Sequence, residues 1–379
     1  MEKMYYYWLH NVEGIGRVTL QKILKHTTPE ELYKNNEKRN FQFLSDRQKE
    51  NMLKSKTEGN VQKEWENLKK KGISLVGLDE KDYPEKLSKI PDPPPLLYYK
   101  GKVDILNKPS VAVIGARACS NYGSLVAREL GKELASMGIV VVSGMARGID
   151  SICQNACLEA GGESIGVLGS GVEVCYPPEN RRLYEQLQSR GCLVSENLPY
   201  TQPNAGLFPL RNRIISGLAD IIVVVESREK SGTQITVDMA LEQGREVYAI
   251  PGRITDSVSQ GCNRLIKQGA SIIFSIKDFL EEICPILQMS YKNRESLLVP
   301  SLSEEERSIL RALDVTYKTI EEIYNLVKKE FPAITIIHLM ELILELQMKQ
   351  IVKEENGYYY CNSLGLSMGN GVKKAIDNK

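Results

Sequence analysis

Val111-Ala-Val-Ile-Gly-Ala-Arg117 is a short apolar run that ends in a glycine turn and a cation. A run apolar at every position cannot lie half in water, so it predicts a strand buried on both faces, as in a parallel sheet covered by helices. The same texture returns at 139–144, 164–169, 192–196, 221–226, 246–252 and 271–275. Amphipathic stretches alternate with these runs, at 121–137, 151–160, 180–190, 233–243 and 261–269. Strand and helix taking turns predicts an α/β fold: a doubly wound, mostly parallel sheet.

Outward from this region the texture changes twice. Residues 1–70 are helical in pattern, and Leu9-His-Asn-Val-Glu-Gly-Ile-Gly16 before the run 17–26 is written like a helix-hairpin-helix. An ordinary glycine helix cap fits those residues equally well. Ile90-Pro-Asp-Pro-Pro-Pro-Leu-Leu97 predicts a stiff extended lead-in within a sheet domain spanning 71–285. After a linker at 286–300, a capping box at Ser303-Glu-Glu-Glu306 opens a helix over 307–313. Helices over 319–329 and 335–349 follow, then a hairpin over 351–360 turning at Asn356-Gly357. Three helices and a hairpin predict a winged-helix-like domain over 301–362, with a loose tail at 363–379.

Bulk properties restrict the function. No apolar run approaches membrane-spanning length, and the expected location is the cytoplasm. The eight cysteines are scattered, and Cys153 and Cys157 stand at helical spacing without neighbouring ligand residues, so reduced thiols and no metal are expected. Residues 1–100 carry 19 Lys and Arg against 15 Asp and Glu, residues 101–300 carry 20 against 21, and residues 301–360 carry 7 against 11. No segment is basic enough to bind nucleic acid by charge alone, so anion binding has to come from local placement. The only histidines are His10, His26 and His338, outside the sheet region, which excludes an acyl-transfer triad there.

Ligands of open α/β sheets bind beyond the carboxyl ends of the strands. Here those ends read Gly115-Ala-Arg117, Ser143-Gly-Met-Ala-Arg-Gly-Ile-Asp150, Gly169-Ser-Gly171, Ser195-Glu196, Glu226-Ser-Arg-Glu-Lys-Ser-Gly-Thr233 and Pro251-Gly-Arg253. Each alone is plain turn chemistry. Together they put a cation at strand end after strand end: Arg117, Arg147, Lys230 and Arg253. Phe208-Pro-Leu-Arg-Asn-Arg213 adds an aromatic ring and two more arginines. None of the loops is a Gly-x-Gly-x-x-Gly fingerprint or a Walker A loop, which disfavours a dehydrogenase or a nucleoside triphosphatase. Asp150, Glu196 and Glu226 lie in the same zone and are expected to pair with arginines.

The ordered set Val111–Arg117, Ser143–Asp150, Val167-Leu-Gly-Ser-Gly171, Tyr176-Pro177 with Asn180, Phe208–Arg213, Lys230-Ser-Gly232 and Gly261-Cys-Asn-Arg-Leu-Ile266 resembles the DNA-processing protein A family (DprA, also called Smf) over roughly 75–280. The resemblance implies a bacterial cytosolic protein that binds single-stranded DNA, loads the RecA recombinase onto it, protects incoming DNA in natural transformation, and forms a homodimer through an extended Rossmann-like domain. It implies DNA contacts at Gly115, Arg117, Ser143, Gly144, Arg147, Phe208, Arg211, Asn212, Arg213, Lys230, Ser231 and Gly232, with Phe208 against the bases. Of Arg211 and Arg213, one is expected to bind DNA and the other to brace the sheet. No cofactor and no catalytic residue is implied. The chain departs from the family where His commonly follows the Gly-Ile-Asp motif: it has Gln154. Loss of that base favours binding over catalysis. The alternative is a nucleoside-monophosphate phosphoribohydrolase of the lysine-decarboxylase-like class, served by Glu226 or Glu242. The acidic C-terminal domain, whose third helix carries Ile336, Ile337, Leu339, Met340, Leu342, Ile343, Leu344 and Leu346 with Glu341 and Glu345 exposed, is expected to be a protein-contact module or a structural cap rather than a strong binder of duplex DNA.

Overall fold

The structure is a computed structural model that describes residues 3–34, 42–58, 60–289, 302–313, 317–349, 351–355 and 357–361. The turn residue Asn356, the linker from 290 onward and the tail at 363–379 lie outside the described residues. The chain divides into two compact units, Met1–Tyr291 and Lys292–Lys379.

Nine strands form one sheet: β1 Ser74–Gly77, β2 Leu96–Gly101, β3 Ser110–Ile114, β4 Val140–Ser143, β5 Ser164–Val167, β6 Cys192–Ser195, β7 Ile221–Val224, β8 Glu246–Ala249 and β9 Ser271–Ile272. Their order is β1-β2-β6-β5-β4-β3-β7-β8-β9. The strands from β6 to β9 in that order are parallel, with Val111 opposite Val141 on one side and Ile221 on the other. The chain runs outward from β3 to β4, β5 and β6, then returns to β7 on the other side of β3. The two directions of winding leave a crevice between the carboxyl ends of β3 and β7, the switch point where such sheets take ligands.

The alternation of side chains explains why the strands are apolar throughout. Ala112, Ile114, Val142, Ile222 and Val224 enter one core, and Val111, Val113, Val141, Ile221 and Val223 enter the other. The N-terminal helices are α1 Lys3–Asn11, α2 Arg17–Leu24, α3 Pro29–Lys34, α4 Asp46–Glu58 and α5 Val61–Lys70, and α6 Glu85–Ser88 precedes β2. Next come α7 Asn121–Ser136, α8 Ile149–Glu159, α9 Arg181–Arg190, α10 Leu207–Leu218, α11 Gly232–Glu242, α12 Gln260–Lys267 and α13 Ile276–Ile286. Helices α7, α8 and α13 cover one face of the sheet, while α10, α11 and α12 cover the other.

Two strands escaped the sequence reading. β2 pairs antiparallel with β6 and β1 with β2, so the stretch read as a lead-in already enters the sheet at Leu96. The proline run masked a segment that is itself apolar on both faces: Leu97 packs with the sheet core, and Leu96 and Tyr98 pack with Trp8, Leu9, Leu20 and Ile23. The N-terminal helices therefore share one core with β1 and β2. α1 and α2 are joined by a tight turn, in which Gly14 adopts φ +86°.

In the C-terminal unit α14 Glu304–Leu313, α15 Ile320–Glu330 and α16 Ile336–Met348 are followed by a hairpin of β10 Val352–Glu355 and β11 Tyr358–Cys361. Ser303 and Glu306 cap α14 reciprocally, Ser303 N donating to Glu306 Oε2 at 2.8 Å and Glu306 N to Ser303 Oγ at 3.1 Å. Glu306 is buried, and Lys349 Nζ donates to its Oε1 at 2.6 Å. Burial raises the Glu306 pKa, but Lys349 and the cap outweigh it and hold the carboxyl below its usual range. Lys349→Met should cost the unit about 2 kcal/mol at neutral pH, short of the full penalty for a broken buried pair because Lys349 is a third exposed. A depressed carboxylate pKa contributes stability that is full above the unfolded value near 4.3 and is lost as pH falls through the lower native value, so the gap between wild type and variant should narrow below about pH 4 and close in stronger acid. Denaturant melts at the two pH values check this.

Candidate nucleic-acid interface

The rim is built from five loops and the starts of two helices. The loop after β3 carries Gly115 and Arg117, that after β4 carries Gly144 and Arg147, that after β5 carries Gly169, that after β7 carries Lys230 and Ser231 ahead of Gly232 at the start of α11, and that after β8 carries Arg253. Helix α10 lies across these ends with Phe208 in its first turn, where Pro209 is tolerated because that amide needs no helical partner.

Two glycines are seats for α10. A Cβ on Gly169 would lie 2.6 Å from the Phe208 ring, and one on Gly144 would lie 2.6 Å from the Arg211 guanidinium. Any larger residue would push the Phe208 ring or the Arg211 guanidinium out of its place. Above Gly169 the Phe208 ring is half-buried, 5.5 Å from the Tyr176 ring, and the Arg117 guanidinium lies 6.0 Å from its centroid. Tyr176 stands beside Phe208 as a second ring that sequence reading left without a role. Its signal was the Tyr176-Pro177 pair, in which the peptide bond is cis.

The cations divide into two groups. Arg117, Lys230 and Arg253 are exposed and have no ion-pair partner among the described residues. Arg147 is exposed and pairs with Glu179 at 2.5 Å, a contact that solvent screens. Ser231 shares a 2.8 Å hydrogen bond with Ser227, while Gly232 is open at the start of α11. Arg211 and Arg213 are inside, at 6% and 5% exposure. Arg211 Nη1 donates to the Gly144 carbonyl at 2.8 Å and also to the Val167 carbonyl, and Asn212 accepts from Arg211 Nε at 3.3 Å. Burial pulls the Arg211 pKa down to about 10 against the pull of Asp150. Arg213 grips Glu196 with both terminal nitrogens, at 2.7 and 2.6 Å, and donates to Asp92, which also accepts from Arg17. Burial opposes the charge on Arg213, yet the Glu196 hydrogen bonds raise its pKa overall.

This placement corrects part of the sequence reading. Both α10 arginines brace the sheet, because a guanidinium enclosed at the strand ends needs carboxylates and carbonyls around it to remain charged. Ser143 is fully buried and its Oγ donates to the Val113 carbonyl at 2.6 Å. Gly144 N donates to Asp150 Oδ2 at 3.1 Å, so its amide is also taken.

The carboxylates follow the same logic with one exception. Glu196 pairs with Arg213 as expected, and Asp150, its pKa raised by burial against the pull of Arg211, feels that cation's charge. Glu226 is also buried but has no cation partner among the described residues. It sits at the N-terminus of α7, where Ser120 N donates to Oε2 at 2.9 Å and Ser120 Oγ also donates to it. The amide end of a helix stabilises a carboxylate in place of an arginine. Gln154 is saturated: its Oε1 accepts from Met145 N at 3.2 Å, and its Nε2 donates to Ser164 Oγ and the Ile165 carbonyl at 3.1 Å each. It holds Met145 in the left-handed conformation at φ 54°, helped by Asn180, whose Nδ2 donates to the Met145 carbonyl at 2.8 Å. Among the described residues no cluster of His, Cys, Asp and Glu could hold a metal ion, and no helix is long and apolar enough to cross a membrane.

A family model described as DNA recombination-mediator protein A matches residues 74–284. DNA processing protein DprA of Bacillus subtilis is 42% identical over 216 residues, covering 57% of this chain and 73% of that protein. The X-ray structure of DNA processing protein A from Streptococcus pneumoniae superposes with a TM-score of 0.63 at 32% identity, covering 76% of this chain and 99% of that one. A structure of DNA processing protein A from Helicobacter pylori, described for its single-stranded DNA binding mode, matches with a TM-score of 0.52 at 29% identity, covering 56% and 96%.

Proposed function

The chain belongs to the DNA recombination-mediator protein A family, and from that premise we propose that it binds single-stranded DNA along the strand-end rim and hands the strand to the RecA recombinase. One observation carries the reading: at the switch point between β3 and β7, Arg117 is exposed, has no carboxylate partner among the described residues, and lies over the Phe208 ring. A cation and an aromatic face at one position match a phosphate and its unstacked base. Lys230 and Arg253 extend the phosphate track, and the open amides at Ser231 and Gly232 begin α11, where a helix favours anions. Arg211, Arg213, Ser143 and Gly144 hold the track in shape.

The protein acts as a pair of copies in the cytosol, protecting and delivering incoming or recombining strands. The edge strand β9 suits pairing of copies, because Ile272 and Phe274 face outward there, Phe274 at 73% exposure. The phosphoribohydrolase reading loses its base: Glu226 is sealed under α7, and Glu242 ends α11, about 15 Å along the helix from the rim.

Single-strand titrations at several salt concentrations, with an AMP incubation alongside, test the reading. Affinity should fall steeply as salt rises, and no adenine should be released. Phe208→Ala should weaken binding about tenfold or more while leaving the salt slope unchanged, because stacking releases no counterions. Salt-insensitive binding, or adenine in the AMP incubation, would return the rim to the enzymatic reading.

A further inference from the structure

Helix α16 has two apolar faces, and its own unit uses only one. Leu339, Leu342, Ile343 and Leu346 are buried in the C-terminal core. Ile336, Ile337, Met340, Leu344 and Met348 point elsewhere, with Ile337 70%, Leu344 59% and Met348 79% exposed. At about 100° per residue these five fill an arc of about 120° beside the buried face. Ile337, Met340, Leu344 and Met348 follow the heptad-like spacing by which one helix receives another. Exposed apolar surface that is contiguous in this way marks an interaction site.

The border of the stripe decides what fits it. Glu341 and Glu345 come next around the helix, and Glu305 of α14 lies 3.3 Å from His338 on the same flank. Lys349, the cation that caps the C-terminal end of α16, is committed to Glu306. Residues 301–360 carry 11 acidic against 7 basic residues. Duplex DNA would bring phosphates against these carboxylates. A second copy of the helix would bring its own Glu341 and Glu345 against them, like charge facing like. A helix with an apolar seam and cationic borders meets both the stripe and its flank. We propose that α16 docks a short basic amphipathic helix of a protein partner, with apolar residues at heptad spacing and Lys or Arg where it faces Glu341 and Glu345. The surface belongs to the C-terminal unit, so this proposal stands or falls apart from the strand-end reading.

The probe is a labelled peptide of about 14 residues with Leu at the seam and Lys on its borders, long enough to match the helix. A second peptide with Glu in place of Lys is its control. Added to the full-length protein, the Lys peptide should bind at least about tenfold more tightly than the Glu peptide, judged by fluorescence anisotropy. Leu344→Glu and Met340→Gln, both at exposed positions, should each reduce that binding about tenfold or more without changing the melting curve or single-strand affinity. Glu341→Lys with Glu345→Lys should reverse the preference between the two peptides. The proposal is overturned if the stripe variants bind the Lys peptide as wild type does. It is also overturned if Leu344→Glu instead abolishes self-association in sedimentation or removes duplex DNA binding, since the stripe would then belong to a second copy or to DNA.

Discussion

Arg117→Ala combined with Lys230→Ala should reduce affinity for single-stranded DNA by about two to three orders of magnitude and leave the fold intact. A hydrogen bond to a charged group contributes about 1.5–3 kcal/mol, so two lost phosphate contacts account for most of this drop. Arg117 also lies over Phe208, so its removal frees the ring on which a base would stack and adds a further fraction of a kcal/mol. The slope of log affinity against log salt should fall by about 1.4, at about 0.7 for each single-strand phosphate released from contact. Both side chains are exposed and lack ion-pair partners among the described residues, so stability should change by no more than about 0.5 kcal/mol. Filter-binding or anisotropy titrations with a denaturant melt decide the matter. Wild-type affinity in the double variant would remove the rim from consideration.

Glu196→Gln should have the opposite profile, a large loss of stability with no loss of a DNA contact. Its carboxylate receives two hydrogen bonds from Arg213, and the two side chains are 11% and 6% exposed. Removing one partner of a buried pair leaves an uncompensated charge and costs about 3–5 kcal/mol. Asp92 still contacts Arg213, which places the expected loss near the lower end, at about 3 kcal/mol. Single-strand affinity measured well below the melting transition should drop modestly, because α10 loses its anchor, while the salt slope keeps its wild-type value. Arg213→Met with Glu196→Met should recover part of the lost stability, since no charge then remains buried. A fall in salt slope for Glu196→Gln would show that Arg213 touches phosphate after all.

The parallel sheet was legible because its strands are buried on both faces, and that burial is written directly as runs such as Val111–Ile114 and Ile221–Val224. The capping box at Ser303 and Glu306 was legible for a similar reason, since its partners are three residues apart. β1 and β2 were not legible. Their pairing is antiparallel and their partners are distant, β2 meeting β6 almost a hundred residues later. Tyr176 was likewise hidden, because its role depends on a ring 32 positions further on, brought to it by the fold.

The local pattern of apolar runs, glycines and cations determined the sheet, the strand-end location of the rim and the residue types on it. It could not sort one arginine from another. Arg117 and Arg211 are both cations near strand ends, and local sequence makes them equivalent. Only the packing of α10 against Gly144 and Gly169 separates them, placing the Arg211 guanidinium among carbonyls at 6% exposure and leaving Arg117 in solvent. The physical reason is that the state of a charge depends on what surrounds it in three dimensions. Enclosed by carbonyls and carboxylates it braces the fold; facing water beside an aromatic ring it is available to a ligand.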